Sequence, residues 1–152
     1  MQNSRENIEM LNRLVEINNC RFESYCQAAK EADGPTLKYL FGRLEENSRT
    51  CKEELSNEIR KLGGIPKEGI SASGKIFTAW MRVKIALSNK NKRVILNSCA
   101  YGEDINIKAY EDLLTVSDDP ADAYHHLIEK QYSMLKADHE RIQNLGKALF
   151  KA

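Results

Sequence analysis

Long apolar runs are missing from this sequence: no stretch approaches the roughly 20 residues that a membrane span needs. An excess of either charge is missing too, since 23 Lys and Arg face 22 Asp and Glu for a net charge of +1. That balance argues against a dedicated nucleic-acid binder, which carries a basic excess or stripe, and against an electrostatic membrane anchor. Helix breakers are scarce, with 3 prolines and 8 glycines, which leaves room for long helices. Alternating apolar–polar runs of strand type are lacking. The four cysteines, Cys20, Cys26, Cys51 and Cys99, form no C-x-x-C pair. They read as free thiols of a reducing compartment. No apolar run of a secretory signal follows Met1-Gln2-Asn3-Ser4-Arg5-Glu6, so a cytoplasmic location is expected.

In place of these features the sequence has helical periodicity. Ile8, Leu11, Val15, Asn18, Phe22, Tyr25 and Ala29 recur at alternating spacings of three and four. They predict a helix over about residues 4–32, with Asn3 and Glu6 as its capping pair. Asp33-Gly34-Pro35 breaks the pattern. Leu37, Phe41, Leu44, Ser48, Cys51, Leu55 and Ile59 then carry a second helix over about 36–62, stopped by Gly63-Gly64-Ile65-Pro66. A crossover, about 63–90, holds a short helix near 75–88. Ile95, Cys99, Gly102, Asn106, Ala109 and Leu113 predict a helix over about 91–116. Asp119 and Pro120 cap and open a last helix over about 120–149, with Tyr124, Leu127, Gln131, Leu135, Asp138, Ile142, Leu145 and Leu149 facing inward. The fold class expected is all-α, one domain over residues 1–152. Its form is a ferritin-like antiparallel four-helix bundle with a long helix-containing crossover between helices 2 and 3.

Each apolar seam is interrupted by polar residues: Asn18, Ser48, Gly102 with Asn106, and Gln131 with Asp138. A buried polar group without a partner costs about 1–3 kcal/mol in mutational data, so these groups are expected to meet one another, water or a ligand. One reading is a hydrogen-bonded layer that fixes register. The other is a pocket for iron, manganese or zinc. A complete di-iron site needs Glu-x-x-His on two helices. The second helix has no histidine, and Lys136 stands three residues before His139. A reduced site remains, with Glu103, His139, Asp138 and Glu23 as ligands. Folding the last two helices about Asp118 places His139 level with about Asn97, six residues or about 9 Å along the axis from Glu103.

Gly69 to Ile76 nearly matches the phosphate-cradling loop G-x-x-x-x-G-K-[ST]. Ile76 stands where the hydroxyl belongs and a helix, not a strand, precedes it, so a plain loop is the better reading. Adjacent His125 and His126 point in different directions and read as surface residues. Ile76, Phe77, Trp80 and Met81 either cover the bundle side or form a contact surface for a second copy or a protein partner.

Several segments together resemble a bacterial family of ferritin-like four-helix proteins catalogued as a domain of unknown function. These are Leu11 to Asn18, Leu62-Gly63-Gly64-Ile65-Pro66, Ala79-Trp80-Met81, Gly102-Glu103-Asp104 with Tyr110-Glu111-Asp112, and His139-Glu140-Arg141-Ile142. The likeness runs nearly the whole chain. It implies the ferritin-like bundle and an association with stress responses, and it supplies no reaction. Members often carry Asp where this chain has Cys20. The function expected is that of a non-enzymatic bundle acting through protein contacts or self-association. The alternative is a metal-binding ferritin relative with a degenerate di-iron-type site. Neither nucleic acid nor membrane is expected as a partner.

Overall fold

The computed structural model describes residues 4–70, 74–116 and 124–150. It contains α1 (Ser4–Glu31), α2 (Pro35–Lys61), α3 (Gly74–Asn89), α4 (Lys92–Val116) and α5 (His125–Leu149). No strand occurs among the described residues, so the chain is an all-α helical bundle. The caps expected from Asn3 and from Asp119 with Pro120 lie outside the described residues.

Local chemistry explains most of the boundaries. Gly34, at φ +91°, precedes α2, and Pro35 occupies its first turn, where the missing N–H costs nothing. At the other end of α2 the Gly63 N–H donates to the Arg60 carbonyl and the Gly64 N–H to the Ile59 carbonyl, both at 2.9 Å. With Gly63 at φ +80°, this is a Schellman end, which satisfies two carbonyls the helix would leave orphaned. The link between α3 and α4 is only Lys90 and Asn91. Lys90 takes a left-handed φ of 56°, and the Asn91 side chain accepts from the Val94 N–H at 3.2 Å, capping α4. So tight a turn lays α3 antiparallel along α4. The two helices approach closely at a pair of small residues, where a Cβ on Gly102 would sit 3.6 Å from that of Ala79.

Helix directions follow from side-chain pairs. Asn18 and Arg21 of α1 bond Tyr110 and Glu103 of α4 respectively, so these helices run in opposite senses. Tyr110 with Gln131 and Asp104 with His139 set α4 against α5. Asn47 with Asp138 and Glu54 with Lys130 set α2 against α5. Helices α2 and α4 consequently point the same way, and α3 lies within the return leg between them. That leg is latched to α1. Asn12 donates to the Ile65 carbonyl and accepts from the Lys67 N–H, while Asn19 donates to the carbonyls of Lys67 and Gly69. These two asparagines are buried because they satisfy loop backbone that has no helix to join.

The core has two apolar halves. One gathers Tyr25, Leu37, Phe41, Val83, Leu96 and Ile142 around the α1–α2 and α3–α4 turns. The other gathers Leu11, Leu14, Leu55, Ile59, Ile128 and Leu135. Among the described residues no helix is long and apolar enough to cross a membrane.

Candidate functional site

Between the two apolar halves lies a polar layer centred on Arg21. Its side chain is only 2% exposed. The guanidinium donates from Nε to Glu103 Oε1 at 2.8 Å, from Nη1 to Asn18 Oδ1 at 2.9 Å and from Nη2 to Asp138 Oδ2 at 2.7 Å. Glu103 and Asp138 are themselves 1% and 0% exposed. Asp138 Oδ1 accepts from Asn47 at 2.8 Å and from Arg141, nearer the surface, at 2.9 Å. Burial opposes charge on Arg21, but Glu103, Tyr25 and Asp138 hold its pKa well above the ordinary value. Burial also raises the Asp138 carboxyl, against the opposing pull of Arg21.

A chain of hydrogen bonds leads away from the cluster through all four long helices. Asn18 donates to the Tyr110 hydroxyl at 2.9 Å, and that hydroxyl donates to Gln131 Oε1 at 2.8 Å. Gln131 Nε2 then donates to the Cys51 carbonyl and to Glu54. Each donor in this chain polarises the next, which strengthens a satisfied network in a low-dielectric interior.

Of the residues the sequence singled out, Asn18, Asn106, Gln131, Asp138 and Glu103 enter this network. Ser48 is buried but donates to Leu44, four residues back in its own helix, and its neighbour Asn47 makes the contribution of α2 instead. Glu23 is exposed on α1. His139 does not meet Glu103. Its Nε2 lies 2.9 Å from Asp104 Oδ1, without the alignment of a hydrogen bond. Level with Asn97 was the expected position for His139, and level with Asp104 is the observed one. The α4–α5 register is set by Tyr110 against Gln131 and Glu111 against Tyr132.

Sequence reading missed Arg21, Asn47, Tyr110 and Arg141. A signal for Arg21 existed: it stands three residues after Asn18 and four before Tyr25, on the seam itself.

Beside Glu103 is a cavity of about 20 Å³ bordered by Cys20, Ser24, Trp80, Glu103 and Asn106. Glu103 Oε2, Asn106 Oδ1 and Trp80 Nε1 are buried with no partner among the described residues. That volume suits one water, which can accept from the indole and donate to both oxygens. The thiols here are not nucleophiles, because burial pushes Cys20 up to about 12 and raises Cys99 as well.

The donor set does not fit an iron, manganese or zinc ion. Carboxylate oxygens of Glu103 and Asp138 are both taken by Arg21, whose guanidinium brings the positive charge a metal would bring. No group of three His, Cys, Asp or Glu converges among the described residues.

Residues 6–116 match the family described as Domain of unknown function (DUF2383). No curated protein matches the chain.

Proposed function

The chain belongs to the family of that description, and from this premise we propose that it is a non-catalytic bundle that works through its surface, by contact with a protein partner or with copies of itself. The observation that carries the proposal is the Arg21 bridge between Glu103 and Asp138. It gives the buried carboxylates of the polar layer a partner within the chain, so the layer acts as a register device and the chemistry available to others lies outside. The likeness of several motifs to ferritin-like bacterial proteins supports adding a ferritin-like arrangement, a bacterial source and a link to stress responses to the same proposal.

Metal analysis of untagged protein tests it. Metal far below one equivalent is expected in the wild type and in Glu103→Ala with His139→Ala. Near-stoichiometric iron, manganese or zinc that these substitutions remove would replace this proposal with the metal-binding one. Analytical ultracentrifugation tests the surface arm. Self-association is expected, and a strict monomer points to a partner of another kind.

A further inference from the structure

The net charge of +1 conceals a segregation. Residues 69–102 carry six cations, Lys75, Arg82, Lys84, Lys90, Lys92 and Arg93, and no acid, so the rest of the chain is net negative. The structure puts all six on the exposed side of α3, its turn and the first turn of α4.

Helix α3 is apolar on two opposite sides. Ala79, Val83, Ala86 and Leu87 are buried against the bundle. Phe77, Met81 and Ile85, spaced by four, line up on the outward side. Phe77 and Met81 are half-buried and Ile85 is 58% exposed. This outward line is flanked by Lys84 on one side and by Arg82 and Lys75 on the other. Two of these cations rest on rings at its edges: Lys84 Nζ lies 4.4 Å from the Trp80 ring centre, and Arg82 Cζ lies 3.9 Å from that of Tyr101.

From this arrangement we propose that the outward face of α3 docks on an anionic lipid bilayer. It rests on the reading that the chain works through its surface, and goes beyond it in naming a lipid as the partner. Complementarity of charge selects an anionic surface. Shape selects the lipid. The apolar line runs along a single helix rather than between two, with Ile85 58% exposed toward its C-terminal end. A line flanked on both sides by long cationic side chains can enter the headgroup region while those cations reach the phosphates. A 16-residue helix lying flat covers about 24 Å of such a surface. A nucleic acid would instead meet an apolar line where phosphate contacts belong.

Vesicle co-sedimentation with the full chain tests this. Binding is expected to vesicles of phosphatidylcholine mixed with phosphatidylglycerol, to weaken with salt, and to be absent with phosphatidylcholine alone. Arg82→Gln with Lys84→Gln should lower the partition coefficient about 25-fold, taking about 1 kcal/mol per cation. Ile85→Ser should lower it further, and Lys61→Gln at the opposite end should leave it nearly unchanged. Circular dichroism checks that each variant is folded, and these exposed positions make no core contact. Equal binding to both vesicle types overturns the proposal. So does binding indifferent to the α3 substitutions, or retention by polyglutamate or duplex DNA without retention by vesicles. A chain that ignores vesicles yet contains no metal removes the lipid and leaves the surface reading standing.

Discussion

Arg21 is the residue on which the interior depends. A guanidinium with 2% exposure has lost its water, and it is stable there because three acceptors from three helices replace that water. Arg21→Met keeps the bulk but leaves Glu103 and Asp138 buried without their shared cation. Urea unfolding is expected to show a loss of about 3–5 kcal/mol. Asp138 makes a pH prediction. Its carboxyl is raised above the ordinary 3.8 by burial, so the folded chain holds that proton more tightly than the unfolded chain. The sign follows: the contribution of Asp138 to stability falls as pH rises from the ordinary value through the raised one, then levels off. The stability of wild type relative to Asp138→Asn should therefore decline as pH rises above the ordinary carboxylate range and level off once the raised carboxyl has ionised, measured by urea unfolding. The thiols give a third test. Burial pushes Cys20 and Cys51 up to about 12 and about 11 and raises Cys99, whereas Cys26 is half-buried. Alkylation followed by mass spectrometry at about pH 8 should mark Cys26 first and the others only on unfolding.

Elements owe their places to a few polar contacts at their ends. The first leg of the crossover has no regular structure to satisfy its carbonyls, and Asn12 and Asn19, two turns apart on α1, supply the donors. Helix α3 is then delivered against α1 and α4, where Gly102 and Ala79 leave space for it. The turn that reverses the chain into α4 rests on Asn91. Asn91→Ala removes the cap of α4 and should lower the thermal midpoint by the equivalent of about 1 kcal/mol. Asn91→Asp should retain most of that stability, because a carboxylate also accepts the Val94 N–H. Exposed pairs such as Arg5 with Glu9 and Lys108 with Asp112 contribute far less, because water and salt screen them.

Across the whole molecule the polar layer divides one core into two apolar halves and ties four helices at a fixed height. Apolar seams alone tolerate sliding by a heptad, because one Leu packs much like the next. A guanidinium with fixed donor directions does not tolerate it. If the layer sets register more than stability, replacing its charges together is expected to cost less than breaking the set. Arg21→Met combined with Glu103→Leu and Asp138→Leu should recover most of the stability that Arg21→Met loses alone. Thermal unfolding of the single and triple variants measures this, and a triple variant weaker than the single one would overturn it.

The sequence by itself determined the all-α class, because three-four spacing of apolar residues buries a stripe only on a helix. It also showed that polar residues interrupt every seam. Which of them meet was decided by tertiary structure. A register change of two turns on α5 carries His139 from Asn97 to Asp104, and nothing local to either helix distinguishes those alignments. Arg21 stands at a seam position of α1, but the groups that balance its charge, Glu103 and Asp138, come from two other helices more than eighty residues away. Periodicity is a property of one segment and is written in the chain. Charge compensation in a dry interior belongs to three segments at once, and only their packing creates it.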